Sequence, residues 1–256
     1  MRRSAAVLTL GMAAILALAT GCPQEQGRGG GPDMAGSDGQ VTDSALALLR
    51  HNMVRRQVAA RGVRDTAVLR VMGEVPRHLF VPEARPALAY GDHPLPISHG
   101  QTISQPYIVA FMAEAAEVDP TDRVLEIGTG SGYGAAVLAG LAAEVYTIEI
   151  VPELAERARL ALERTGYGNV QVLAGNGWLG WPEHAPFDAI VVTAAPPEVP
   201  PALVEQLAEG GVMVVPVGDV VQDLRILRKT PRGVVEEASI PVRFVPMVGR
   251  PRDTVR

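Results

Sequence analysis

The stretch from Leu125 to Ala136, LEIGTGSGYGAA, constrains the fold more than any other part of the chain. Four glycines, at 128, 130, 132 and 134, follow an apolar run and precede an alanine-rich segment with helical character. Glycine lets a backbone turn sharply and approach a ligand with no Cβ in the way, and a helix starting just beyond offers oriented N–H groups. A strand, a tight loop and a helix in that order call for a sheet whose strands are joined by helical crossovers. The chain beyond repeats the grammar. VYTIEI reads as a second buried strand, and PELAERARLALERTG as a helix opened by Pro152 and closed by Gly166. NVQVLAG and FDAIVVTAA read as the third and fourth strands with a short or absent helix between them, and PPALVEQLAEGG and VMVVPVG as a further helix and strand. Strands that are apolar nearly throughout belong to a parallel sheet covered on both faces. The expected fold is doubly wound, Rossmann-like α/β, with QDLRILRK and EEASIPVRFVPM adding an antiparallel strand pair joined by a turn at Pro231 to Gly233.

Ahead of the sheet, Leu46, Leu49, Met53 and Val58 mark a helix from Ser44, with Asp43 or Ser44 as its cap. A second short helix follows Asp65 through Val68, Leu69 and Met72 and stops before Pro76. Prolines at 76, 82, 86, 94 and 96 predict a loop-rich path as far as Gln105. With 256 residues, 47% of them hydrophobic, the chain has material for one sizeable domain, expected over 43–256.

The first 42 residues read differently. Arg2 and Arg3 precede an apolar run from Ala5 to Ala19, shorter than the roughly 20 residues a membrane span needs and suited to a signal-peptide core. Ala19, Thr20 and Gly21 before Cys22 resemble the lipobox of bacterial lipoproteins. Residues 1–21 are thus expected to be a signal peptide, Cys22 a lipidation site and residues 22–42, rich in Gly, Pro, Gln, Asp and Ser, a flexible tether. That implies a periplasmic, lipid-anchored protein, with a cytoplasmic one as the alternative. A single cysteine excludes an intrachain disulfide. A net charge of −5 without a cluster of Lys and Arg speaks against a nucleic-acid partner. Lys229 is the only lysine, so no glycine-rich loop here ends as a P-loop must. His51, His78, His93, His99 and His184 lack metal-ligand spacing, and no metal is expected. No internal repeat or coiled-coil heptad is visible, and a monomer is expected.

The glycine loop predicts a nucleoside ligand and leaves two readings open. Gly130, Gly132 and Ala135 satisfy the G-x-G-x-x-A dinucleotide fingerprint, and Glu149 lies about 20 residues on, where an acid for the ribose belongs, so a nicotinamide dehydrogenase is one reading. The other rests on Glu126, two residues before Gly128, where a carboxylate helps a cationic ligand and not a pyrophosphate. Asn176, after the third strand, stands at a carboxyl end of the sheet, where open α/β folds bind ligands. Together these point to S-adenosylmethionine, with Glu149 on the ribose, Asn176 at the adenine edge and the glycine loop beside the methionine moiety.

Seven stretches in order, MVRRQVAARGVRD, VPRHLFVP, AYGDHPLPISHGQTISQPYIVA, VLEIGTGSGYGAAVLA, APFDAIVVTAA, LAEGGVMVVPVG and VRFVPM, resemble the protein-L-isoaspartate O-methyltransferases over Ser44 to Gly249. The resemblance implies a class I S-adenosylmethionine-dependent methyltransferase domain that methylates the free α-carboxylate of L-isoaspartyl residues in damaged proteins and peptides. It implies that Ser104, in TISQP, is the active-site residue. It also implies that Ile103, Glu126, Gly128, Gly130, Gly132, Glu149, Asn176, Gly177 and Gln222 serve the cofactor, while Gln101, Thr102 and Gln105 serve the acceptor and Tyr90 and Asp92 shape the cleft. The chemistry is consistent with a serine: a carboxylate with a pKa of about 3.5 is already ionised at neutral pH and needs orientation, not a base. Trp178 and Trp181 suit either an adenine pocket or the core.

Two positions depart from the family pattern. Asn176 stands where an aspartate is usual, which predicts cofactor binding weaker by about 1 kcal/mol. Asn176 also precedes Gly177, the pairing most prone to deamidation where it is flexible. Ser98 stands where glycine is common, so a left-handed backbone there would be strained. These departures leave a further alternative, a tethered binding module that keeps the fold without the catalysis.

Overall fold

The computed structural model describes residues 42–81 and 86–251; the expected signal peptide and Cys22 lie outside the described residues. Helix α1 (Asp43–Met53) begins one residue before the expected Ser44 because Thr42 is its cap, Oγ1 accepting from the Ala45 N–H at 3.3 Å. It runs on through a wider turn, Val54–Val58, and a tight one, Ala59–Arg61, and stops at Gly62 with φ 108°. Helix α2 (Thr66–Glu74) is capped as predicted: Asp65 Oδ1 accepts from Ala67 N at 2.7 Å and Val68 N at 2.9 Å. Val75 is extended ahead of Pro76, as a pre-proline residue prefers.

The irregular path that follows holds a small hairpin, β1 (Leu95–Ser98) with β2 (Gln101–Ile103). Its left-handed residues are His99, φ 52°, and Gly100, φ 69°, the pair that a two-residue hairpin turn requires. Ser98 is therefore free of the strain anticipated for it, which falls on His99. Helix α3 (Pro106–Ala115) follows at once, with proline in its first turn.

The sheet proper runs β3 (Arg123–Ile127), α4 (Tyr133–Ala139), β4 (Glu144–Glu149), α5 (Pro152–Arg164), β5 (Val170–Ala174), β6 (Phe187–Val192), α6 (Pro201–Gln206), β7 (Leu207–Val217), β8 (Gln222–Thr230) and β9 (Gly233–Val242). Its spatial order is β5-β4-β3-β6-β7-β8-β9, parallel through β7 and antiparallel at β8 and β9. Alternate residues feed two cores. Val124, Val145, Val191 and Val214 face one, and Leu125, Ile148, Ile190 and Met213 the other, so the two-sided burial read from the apolar strands is present. The order reverses between β3 and β6, and the glycine loop leaves β3 at this switch point, where doubly wound sheets hold ligands.

One helix is shorter than its sequence predicts. Helix α6 ends at Gln206, and Leu207 to Gly211 join β7. The reason lies on β8: Lys229 Nζ donates to the carbonyls of Val204, Glu205 and Leu207 at 2.9, 3.1 and 2.6 Å, capping the helix with a cation. The connection from β5 to β6 holds only two tight turns, Gly177–Leu179 and Pro182–His184.

Candidate active site

A cleft at the carboxyl ends of β3 and β4 gathers most of the expected residues. Gln101, Thr102, Ile103 and Ser104 form one wall, Glu126 and Gly128 to Ser131 a second, and Glu149, Ile150 and Gly177 a third. Thr193, Ala194 and Val245 to Val248, which the sequence did not single out, complete it.

The glycine loop is held by its own backbone and by two side chains. Gly128 N donates to Ile148 O at 2.8 Å and Gly130 N to Glu149 Oε2 at 2.8 Å. Thr193 Oγ1 donates to the carbonyls of Gly128 and Ile127 at 2.8 and 3.0 Å. A Cβ on Gly128 would strike that hydroxyl, and Gly128 lies at φ 97°, so glycine is required twice over. A Cβ on Gly134 would strike Glu126 Oε1. The glycines thus let Thr193 and Glu126 pack directly against the loop, which forms a cradle along the cleft wall. Gly132 differs: it starts α4 at φ 88° and packs against Ala158 and Leu162, supporting the cleft without lining it.

Two carboxyl groups sit at the cradle in different surroundings. Glu149 Oε1 accepts from Val151 N at 3.0 Å and Oε2 from Gly130 N, which leaves further lone pairs toward the cleft. Glu126 is 1% exposed, and burial pushes its pKa up to about 8, against a hydrogen bond from Thr147 and with a small push from Glu149. Thr147 Oγ1 donates to Glu126 Oε2 at 2.6 Å, so its partner at 2.7 Å, Thr129 Oγ1, must donate to Thr147. A cation entering here would draw Glu126 back to its charged form. The residues present therefore fit a nucleoside with a cationic tail.

On the acceptor wall, the Ser104 hydroxyl has no hydrogen-bond partner among the described residues, while the Ser104 carbonyl is fixed from behind. Arg77 does the fixing. It is fully buried, donates Nη2 to Ser104 O at 2.8 Å and Nε to Ala89 O at 2.7 Å, and stacks 4.7 Å from the Tyr133 ring. Burial lowers its pKa, and Nη1 has no protein partner. The same burial pushes the Tyr133 phenol up to about 12. Arg77 stood in the quoted VPRHLFVP without being singled out; an arginine between proline and an apolar run was its only signal.

Several expected residues support the cleft from outside it. Gln105 Nε2 donates to Asp92 Oδ1 at 2.7 Å and braces the hairpin. Gln222 brackets the backbone of Phe244, its Oε1 accepting at 2.6 Å and its Nε2 donating at 3.2 Å, so it does not reach the cofactor wall. Asn176 also lies off the lining: Oδ1 accepts from Trp178 N at 3.1 Å and Nδ2 donates to Gly249 O at 2.7 Å. With both amide atoms engaged and Gly177 buried, the pair lacks the freedom that deamidation needs. Tyr90 is buried with its OH on His78 Nδ1 at 2.7 Å, and Trp181 packs edge-on against Tyr146 in the core.

The profile of the protein-L-isoaspartate(D-aspartate) O-methyltransferase (PCMT) family matches residues 49–252. The chain belongs to this family. The protein-L-isoaspartate O-methyltransferase of Gloeobacter violaceus is 59% identical over 197 residues, 76% of this chain and 96% of that one. The Picosynechococcus protein of the same name is 54% identical over 217 residues, 85% and 97% of the two chains. A solved protein-L-isoaspartate O-methyltransferase superposes with a TM-score of 0.73 at 32% identity, covering 78% of this chain and 66% of that one. The Plasmodium falciparum beta-aspartate methyltransferase, solved in complex with S-adenosyl-L-homocysteine, gives 0.69 at 26% identity and covers 78% and 98%. Family membership decides against the dehydrogenase that the glycine spacing alone had left open.

Proposed function

We infer that this enzyme transfers a methyl group from S-adenosylmethionine to the free α-carboxylate of L-isoaspartyl residues in proteins and peptides. The observation that carries it is the single cleft in which the unpartnered Ser104 hydroxyl and the Glu126–Glu149 glycine cradle meet. S-adenosylmethionine, when bound, supplies a methyl group on a positively charged sulfur. Glu126 offers a countercharge to that cation, Glu149 offers lone pairs to ribose hydroxyls, and Gly128 and Gly130 give backbone room. On the other wall, Thr102 and Ser104 offer neutral hydroxyl donors to the acceptor carboxylate, and the Arg77 bridge keeps Ser104 in place. Neutral donors align the nucleophile without stabilising its charge so far that it loses reactivity. No general base is required, because the acceptor is already ionised.

Transfer of labelled methyl to an isoaspartyl peptide, but not to its aspartyl counterpart, is the expected result. Stabilisation by NAD with none by S-adenosylhomocysteine would overturn the reading. We also propose a monomeric enzyme; light scattering at twice the chain mass would refute that. For location, we propose a lipid-anchored periplasmic protein, supported by the Arg2-Arg3 start, the apolar run and Cys22. Palmitate labelling lost in Cys22→Ala, with the wild type in the membrane fraction, is expected; an unlabelled cytoplasmic protein would refute it.

A further inference from the structure

The segment after β9 forms one wall of the cleft without regular structure of its own. It is held at both ends by named hydrogen bonds. At its start Gln222 brackets Phe244, Ala195 N donates to Val245 O at 2.8 Å, and Met247 N donates to Ala195 O at 2.8 Å. At its end Trp178 Nε1 donates to Val248 O at 3.1 Å and Asn176 Nδ2 donates to Gly249 O at 2.7 Å. Between these ties, Val245 to Val248 line the cleft, and Val248 stays 58% exposed beside Ile150, itself 39% exposed. Two exposed aliphatic side chains at a cleft mouth are the kind of surface that a flat ring would cover.

The chemistry of residue 176 decides whether the far end holds. Gly249 O is an acceptor and needs a donor. An amide has one to give while its oxygen accepts from Trp178 N; a carboxylate could keep the bond from Trp178 N but would turn a second acceptor against Gly249 O. Glycine is required at 249, which lies at φ 82° and where a Cβ would meet Ile150 Cδ1 at 2.5 Å and Asn176 Oδ1 at 3.2 Å, so the strap backbone approaches residue 176 closely.

We propose that Asn176 is a positioning residue, an amide latch that holds the Val245–Gly249 strap against the cofactor cleft and so slows cofactor release. This deepens the methyltransferase reading and rests on it. It reverses the sign expected if residue 176 met the adenine directly. An aspartate would then strengthen binding, whereas the latch requires it to weaken binding.

The test uses the full chain with Asn176→Asp, Asn176→Ala and Trp178→Phe, the last removing the Nε1 bond while keeping the ring. In the ligand-free protein, hydrogen exchange of the peptide spanning Val245–Gly249 is expected to quicken about tenfold in Asn176→Asp and less in the other two, with exchange in β3 and β4 unchanged. S-adenosylhomocysteine is expected to dissociate about five- to tenfold faster from Asn176→Asp, with little change in its association rate. Unchanged strap exchange in all three variants, or tighter S-adenosylhomocysteine binding by Asn176→Asp, overturns the latch. Wild-type protein that does not bind S-adenosylhomocysteine at all would refute the enzyme assignment instead, and the ligand-free exchange would still decide the latch.

Discussion

Glu126 makes cofactor affinity depend on pH in a calculable way. With a pKa pushed up to about 8 in the free cleft, roughly a tenth of the enzyme carries an ionised Glu126 at pH 7. A cationic ligand selects that fraction and must meet the cost of ionising the rest, about 1.4 kcal/mol at pH 7 and nearly nothing above pH 9. Affinity should therefore rise about tenfold per pH unit up to pH 8 and then level, with roughly 0.9 proton released per ligand bound at pH 7 and half a proton at pH 8. Calorimetry in two buffers of different ionisation enthalpy measures both quantities. Glu126→Gln removes the group, so the difference between it and wild type isolates Glu126 from the ligand's own amine. The uncharged nucleoside 5′-methylthioadenosine should show neither effect. Folding is linked to the same proton: the native state keeps a proton that the unfolded chain loses above about pH 4.5, so Glu126 costs stability progressively between pH 4.5 and 8. Glu126→Gln should consequently melt higher than wild type at pH 8.5 and level with it at pH 4. A wild-type affinity that is flat from pH 6 to 8, or a slope that survives in Glu126→Gln, would refute the reasoning.

Three further substitutions test other walls. Ser104→Ala removes the free hydroxyl and should lower kcat about 10- to 100-fold while S-adenosylhomocysteine binding, read by calorimetry, stays within about twofold; a matching loss of cofactor affinity would place Ser104 elsewhere in the cycle. Arg77→Met strips the donor from Ala89 O and Ser104 O, at about 1–3 kcal/mol for each buried acceptor, partly offset by removing a guanidinium that burial disfavours. A net loss of about 2 kcal/mol should appear in urea denaturation, with Arg77→Lys recovering little because an ammonium does not span both carbonyls; an unchanged midpoint would contradict the bridge. Lys229→Met uncaps α6 and should lower stability by about 1–2 kcal/mol without changing the KM for either substrate.

The sheet was legible because its signals are local: apolar runs of strand length, glycines at alternate positions, Pro152 opening α5 and Gly166 beyond its end. The place of Glu126 and Glu149 on the cleft wall was legible for the same reason, since both are fixed by spacing from the glycines. What escaped depends on residues distant in sequence. Helix α6 ends at Gln206 because Lys229, more than twenty residues on, takes its last carbonyls, and no propensity records that. The Arg77 bridge to Ser104 spans 27 positions, and the Asn176 bond to Gly249 spans 73. The family resemblance carries Gln222 to the cofactor, whereas its amide brackets the backbone of Phe244, 22 positions on. Ser98 was read as the strained residue from its place beside a turn, yet the hairpin register puts the left-handed backbone one position later, on His99.

The charges of the two walls imply an order of binding. The cofactor half of the cleft holds two carboxylic acids, Glu126 and Glu149, while the acceptor half holds neutral hydroxyls with the Arg77 cation behind the Ser104 carbonyl. An acceptor carboxylate entering first faces an acidic wall; entering second, it faces a cation that has offset that wall. In Glu126→Gln, where no proton leaves to offset the cation, a unit charge roughly 5 Å away at an effective dielectric of about 20 is worth about 3 kcal/mol, or roughly 200-fold in affinity. In that variant the isoaspartyl peptide should therefore bind by about that factor more tightly beside a non-reactive donor analogue with an ammonium in place of the sulfonium than beside S-adenosylhomocysteine, whose sulfur is neutral, and in wild type at pH 7 the proton lost from Glu126 should remove most of the difference. By linkage the peptide must tighten the cationic analogue by the same factor, so each titration checks the other. Equal peptide affinity in the two complexes of that variant, measured by fluorescence anisotropy, would mean that the hydroxyls and not the field hold the acceptor.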